Sequence, residues 1–161
     1  MKTRDVLKVL KEKLEEIQPP IGNIFAVLRK SPKPEDVIQD YKFKDPVLGD
    51  VIKAFILRPG DSRISRATTG NVGFSIRVRN IIIDGFISVR DDSDQAEDVV
   101  LEDAWDAIVD KLQKVSRLED KSQGDAFHVG EMTLGELAAG RVSNKKVLSQ
   151  RLTTVVQDRI P

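Results

Sequence analysis

The stretch FSIRVRNIIIDGFISV, residues 74–89, carries the clearest strand signal in the chain. Its first part, Phe74–Arg79, alternates apolar with polar side chains, which is the pattern of a strand with one face in water. The second part has apolar residues on both sides around Asp84, with one side richer: Ile81, Ile83, Ile87 and Val89, against Ile82 and Phe86. Either Asn80 marks a turn between two strands, or one bent strand runs through it.

The residues after this stretch predict a long helix. Asp94 is suited to cap its start, with Glu97 three residues later as the partner in a capping box. Apolar residues then recur at helical spacing as far as Val115 and form a core-facing stripe, which consists of Leu101, Ala104, Trp105, Ile108, Leu112 and Val115. We expect Trp105, the single tryptophan, to anchor the core.

Residues before the stretch predict a second amphipathic helix, from Thr3 to Ile17, which Pro19 and Pro20 end. A short apolar run at Ile24–Leu28 predicts a largely buried strand. A short helix from Glu35 to Tyr41 follows, with acidic residues at its positive end.

Three further segments are less clearly patterned. Residues 45–57 are ambiguous, because Leu48, Val51 and Phe55 match helical spacing, but Val51-Ile52 and Ala54–Leu57 would also suit a buried strand. We favour a helical start that ends in extended chain. Residues 58–73, rich in glycine and poor in apolar side chains, predict a long loop, which could contain a short hairpin. The polar residues 116–125 predict another loop.

The chain ends in two predicted strands, Ala126–Leu134 and Val147–Asp158, with a turn region over residues 140–146. The run Thr153-Thr154-Val155-Val156 is β-branched and favours strand over helix. The element order contains no repeated βαβ crossovers. We therefore predict an α+β fold, a mixed, mostly antiparallel sheet of four to five strands packed against helices, in a single domain over residues 1–161.

Composition excludes several classes of site. The 161 residues include no cysteine and one histidine, His128, so no thiolate nucleophile, disulfide or His-rich metal site is possible. Lys and Arg number 26, as do Asp and Glu, which argues against a surface that binds nucleic acid or anionic lipid throughout. The longest apolar run, Ile24–Leu28, is far shorter than the roughly 20 residues of a membrane span. We expect a cytoplasmic protein, or one assembled in a cytoplasm.

Few residues suggest catalysis. Asp91, Asp92 and Asp94 could hold Mg²⁺ or share acid–base work, as in a small metal-dependent hydrolase or nuclease, but negative charge is also favoured at a helix N-terminus. His128 has no recognisable triad partner. We predict no enzyme activity, no catalytic residue, no metal and no cofactor.

Charge is segregated along the chain. Three arginines, Arg58, Arg63 and Arg66, lie in the predicted loop, whereas residues 91–103 hold seven acidic residues and no basic one. No aromatic side chains accompany the arginines, so sequence-specific nucleic-acid binding is not expected. Segregation of this kind can make protein surfaces complementary. The interface hypothesis therefore names Arg58, Arg63, Arg66, Asp91, Asp92 and Asp94, and an adaptor domain that binds one partner remains an alternative.

In its element order the chain resembles the small tail-terminator, or tail-completion, proteins of long-tailed bacteriophages and related head–tail joining proteins. The resemblance rests on the N-terminal helix leading into Gly22-Asn23-Ile24-Phe25. It continues through the segment from Arg58 to Arg79 and the strand IIIDGF, residues 81–86, which leads to Asp91–Asp94 and a long helix. The closing strand pair is also similar.

The resemblance implies a structural protein of the virion tail, assembled in the bacterial host cytoplasm. Such proteins form a homo-oligomeric ring, commonly a hexamer, that terminates the tail tube and docks the head or neck. The implied partners are other copies of the chain, the tail-tube protein and neck or head-completion proteins. In a head-to-tail ring the arginines of one copy could meet the acidic segment of the next, or contact the tube.

Overall fold

The computed structural model of the chain describes residues 2–27, 41–69, 72–90, 96–114, 117–120, 125–142 and 145–160. The helices within these residues are α1, Thr3–Glu15, and α2, Ala96–Lys114. Its eight strands are β1 Asn23–Ala26, β2 Lys42–Asp45, β3 Gly49–Thr69, β4 Val72–Ser88, β5 Arg117–Asp120, β6 Asp125–Leu134, β7 Ala138–Val142 and β8 Lys145–Ile160.

The strands form one sheet in the order β1-β3-β4-β8-β6-β5, built around three long antiparallel strands, β3, β4 and β8. β2 pairs with the start of β3, and β7 pairs with the start of β8. Only β1 pairs in parallel, against Ala54–Leu57 of β3. The predicted α+β class is confirmed, with more strands than the four to five expected.

Both helices pack on one face of this sheet, which we call the helix face. The stripe of α2, including Trp105 at 1% exposure, lies with Leu7, Leu10 and Leu14 of α1 against β3, β4, β6 and β8. The Trp105 ring meets Phe55 edge to face, with centroids 5.1 Å apart. The prediction that Trp105 anchors the core is confirmed. Neither helix in the described ranges combines the length and apolar character needed to cross a membrane.

Residues 45–57 contain no helix, so the predicted helical start is wrong, whereas the extended end and the buried-strand alternative are confirmed. Residues 51–57 belong to β3 and are buried on both faces: Phe55 and Leu57 face the helices, whereas Ile52, Ala54 and Ile56 pack on the opposite, outer face with Tyr41. A strand covered on both sides becomes continuously apolar, and such a run also satisfies helical spacing. Spacing alone could not separate the two structures.

The long loop predicted for residues 58–73 is wrong, but the hairpin that it could contain is confirmed, because β3 and β4 pair antiparallel here. β3 continues to Thr69 and pairs with β4 from Lys53, opposite Ile87, to Thr69, opposite Val72. The ladder is interrupted once, by a bulge between Pro59 and Ser62. Proline, glycine and a bulge are tolerated at a sheet edge, where one side of the strand needs no partner.

Three other predictions have mixed outcomes. Residues 116–125 were expected to be a loop, but residues 117–120 form β5. The phrase IIIDGF lies in one continuous strand, β4, with no turn at Asn80. The short helix predicted for residues 35–41 lies outside the described residues except for Tyr41.

Candidate interaction surface

The apolar side of β4 changes face at Asn80. In the second half of the strand Ile81, Ile83 and Ile87 are fully buried beneath the helices. Because successive residues point to opposite faces, Ser75, Arg77 and Arg79 lie on the same helix face in the first half. The apolar residues Ile76 and Val78 therefore lie on the outer face, not in the core.

On the outer face these residues join a half-buried apolar stripe. Val78 is opposite Gln157 of β8, and Asn80 is opposite Val155. Ile76, Val78, Ile82 and Val155 are each only partly exposed, and neither described helix covers them. A groove runs beside them, lined by Asp61, Ser62, Arg63, Val78, Asn80, Gly130, Glu131, Val155 and Gln157. Contiguous apolar surface with a polar rim is typical of a protein-binding face.

Beside this stripe lies a free strand edge. β1 pairs with the edge of β3 that faces away from β4, but only as far as Leu57. In the described part of the chain, no strand pairs with this edge beyond Leu57. We call residues 61–69 the β3 edge segment. Its residues 61–66 are all exposed, including Ile64, which is 62% exposed. The backbone of this segment can accept another strand.

Two of the predicted interface arginines lie on the β3 edge segment. Arg63 is opposite Val78 and so projects on the outer face, whereas Arg66 is opposite Ser75 and projects on the helix face. Both are exposed, and within the described residues neither forms an ion pair. Their charge is therefore available to a partner at the edge.

Arg58 has a different role. Its Nε donates to Oδ2 of Asp84 at 2.9 Å, and Nε of Arg151 donates to Oδ1 of the same carboxylate at 2.8 Å. This cluster ties β3, β4 and β8 together across the outer face. Because Arg58 is already paired in a partly buried site, we remove it from the candidate interface.

The acidic residues Asp91, Asp92 and Asp94 lie outside the described residues, so the structure does not place them. The flanking Arg90 donates from Nε to Oε1 of Glu97 at 3.0 Å. Burial raises the pKa of Glu97, but the hydrogen bonds from Arg90 and from backbone amides outweigh it and lower the pKa below its usual range.

The start of α2 lies roughly 30 Å along β4 from Arg63, at about 3.3 Å per residue. The basic edge and the start of α2 in one copy are therefore far apart.

Two buried ion pairs escaped sequence reasoning. Arg79 is 2% exposed and contacts Asp158 through Nη1 and Thr3 Oγ1 of α1 through Nε. Lys53 donates from Nζ to Oδ1 of Asp45 at 3.0 Å, beneath the ring of Phe43. Nothing in the local sequence marks these residues, because the alternation around Arg79 indicates a wet face. The side chains of both pairs are almost fully buried and link separate parts of the fold.

No potential metal cluster of three or more His, Asp or Glu side chains occurs among the residues that the structure places. His128 is exposed on β6, level with Gln157. The arrangement that remains is a surface for another macromolecule: an apolar stripe, a free strand edge and two available arginines.

Comparison with known proteins identifies no family. The chain matches no protein-family model, and no curated protein is similar to it. One solved structure is similar over 98% of this chain and 92% of that chain, at 17% sequence identity and a TM-score of 0.45. The name of that protein states no function, and a likeness at this level carries no argument about fold or activity.

Proposed function

We propose that the chain is a structural protein of a phage or phage-like tail, which forms a ring that terminates the tail tube and joins it to the head or neck. The observation that carries the proposal is the change of face in β4 at Asn80. It leaves Ile76, Val78 and Val155 partly exposed beside the free β3 edge segment, where a neighbouring subunit would bury them.

A ring requires two different contact patches on each subunit. Identical subunits arranged head to tail use two different patches, and the rotation between them must close. Arg63 and Arg66 form part of one patch at the β3 edge. The second patch must lie elsewhere on the molecule. The start of α2 is far enough from the basic edge to belong to it. The proposed partners are other copies of the chain, the tail-tube protein and a neck or head-completion protein, in the virion tail.

The apolar stripe also supports a second candidate, an adaptor that binds one protein partner. The two candidates differ in self-association. A tail terminator needs a closed ring of copies on the tube, whereas an adaptor needs one copy for each partner. The stoichiometry on the tube therefore separates them.

The direct test uses tail tubes purified from the same particle. Electron microscopy of tubes mixed with the protein should show ring-shaped density at one end only, and capped tubes should no longer elongate when tube protein is added. Tubes that bind nothing at their ends and keep growing would contradict the proposal.

A paired variant links that activity to the stripe. Val78→Thr/Val155→Thr keeps the β-branched shape and replaces apolar surface by hydroxyl groups. Because both residues are already partly exposed, we expect little change in unfolding free energy, but a loss of capping of tenfold or more in the concentration required. The control is Val99→Thr on α2, which removes an exposed valine away from the stripe and should cap normally.

A further inference from the structure

At one end of the sheet five strands lie level with one another, in the order β3, β4, β8, β6 and β5. Continuous pairing through all five strands defines two rows, those of Ile64 and Arg63. One such row consists of Ile64, Arg77, Asp158, Phe127 and Leu118. The two outer members of the rows are the β3 edge segment and β5. Within the described ranges neither has a second strand beside it.

These two edges run in the same direction. Four successive antiparallel pairings separate β3 from β5, so the direction reverses an even number of times. A second copy placed beside the first in the same orientation would therefore lay its β5 parallel to the β3 edge segment. β3 already accepts a parallel partner at β1. Free amide and carbonyl groups on both edges can then form a shared ladder.

We propose that the β3 edge segment of one copy pairs in parallel with β5 of the next, so that the sheets join edge to edge around the ring. This inference rests on the proposed ring and identifies its contact. It also replaces the acidic segment near Asp91 with β5 as the partner of the arginines, because β5 lies at the same level as Arg63 and Arg66.

The residue types along the two edges fit this pairing. β5 has the sequence Arg117-Leu118-Glu119-Asp120. Ile64, which is 62% exposed, is level with Leu118. Continuing the same register by one and two residues sets Ser65 level with Glu119 and Arg66 level with Asp120. Arg63 is level with Arg117, so one row brings like charges together. Opposite charges in directly neighbouring positions stabilise a sheet, and like charges disfavour it. Three of the four rows are therefore compatible.

Arginines at a strand edge have a competing explanation. Native sheets use charged side chains, proline and bulges to prevent edge-to-edge association. Pro59 and the bulge at Gly60 and Asp61 serve that purpose where β1 ends. Beyond the bulge, Arg63 and Arg66 are the features of the β3 edge segment that could prevent pairing. Their charge either disfavours pairing with any strand or favours pairing with an acidic one. The experiment must separate these two roles.

Cysteine cross-linking does so, because the chain contains no cysteine of its own. One preparation carries Ser65→Cys and the other carries Glu119→Cys. A disulfide needs Cα atoms about 4.4–6.8 Å apart, which neighbouring strands provide. Oxidation of the mixture should give a cross-linked pair containing one copy of each variant, whereas each variant alone should give only background. The control mixture pairs Ser65→Cys with Ala139→Cys, an exposed position on β7, beside the opposite end of β8.

The outcomes distinguish this inference from the proposed function. A closed ring without the 65–119 cross-link overturns the edge pairing and leaves the ring intact. Cross-linked chains that never close support the edge pairing and count against the ring. Cross-linking of Ser65→Cys to itself would show a two-fold contact and overturn the inference. If neither the ring nor the cross-link forms, both proposals are overturned, and the arginines are then explained as charges that prevent edge-to-edge association.

Discussion

Gly85 lies where two buried rings leave no room for a side chain. A Cβ there would come within 2.6 Å of Cζ2 of Trp105 and 2.8 Å of Cε1 of Phe55. Gly85→Ala should therefore lower the free energy of unfolding by about 1–3 kcal/mol, the usual cost of overpacking a core. The matched control is Gly140→Ala, where nothing lies within 4 Å, and the change should stay within about 0.5 kcal/mol. Urea unfolding measures both, and a Gly85→Ala protein as stable as its parent would contradict the ring packing.

The buried pair of Lys53 and Asp45 makes stability depend on pH. Burial raises the pKa of Asp45, but the amides of Leu48 and Val47 and the Lys53 ammonium outweigh it, so its pKa lies below the usual 3.8. A lowered pKa stabilises the fold above the ordinary value, and that contribution is lost as pH falls through the folded value. Lys53→Met should cost about 3–5 kcal/mol at pH 7, because it leaves a buried charge unpaired.

Below the ordinary pKa of aspartate the cost of Lys53→Met should shrink, because Asp45 can then take up a proton. The measurement is urea unfolding of parent and variant at pH 7 and at pH 3. The Asp45→Asn/Lys53→Met protein serves as the control, since it retains neither charge. An equal loss at both pH values would show that the pair is not the source of the effect.

At the scale of elements, the arginines of the β3 edge segment should affect assembly and not folding. Arg63→Glu/Arg66→Glu changes two exposed residues, so its melting temperature should match that of the parent. Ring formation should be impaired at both low and physiological salt, because Arg66→Glu places a like charge beside Asp120 of the next copy. The single Arg66→Glu variant, which leaves the row of Arg63 and Arg117 unchanged, should show the same defect. The control, Arg141→Glu/Lys145→Glu, makes the same charge change at exposed positions of the β7–β8 hairpin and should still assemble. Circular dichroism melting beside an assembly assay checks the prediction, and normal assembly of the Arg63/Arg66 variant would remove this edge from the interface.

The elements that sequence reasoning found are those with one buried face. The stripe of α2 reports contact with a single core, so its periodicity identifies it, whereas β8 was identified by its β-branched residues. The strand at Val51–Leu57 is buried on both faces, and residues 61–66 of the β3 edge segment are exposed on both. Neither has an alternating pattern, so a helical start was favoured for the first and a loop for the second. Pairing with β4, which fixes the edge segment as a strand, is a long-range property that local sequence does not carry.

For the whole molecule, the fold class was predictable and the geometry of the candidate surface was not. Arg63 and Arg66 stood out as a basic cluster, but nothing local showed that they lie on a free edge or that Arg58 is committed to Asp84. The change of face at Asn80 also needs the structure, because Phe74–Arg79 alternates equally well whichever side meets the helices. Which side of this stretch meets the helices is fixed only in the folded structure.

The central claim is that identical copies of this chain close into a ring. Native mass spectrometry at high protein concentration, with and without tail tubes, measures the subunit number directly. We predict one defined multimer, most simply a hexamer, that forms at least when tubes are present, since a ring can require the tube end in order to close. A strict monomer under both conditions would contradict the account.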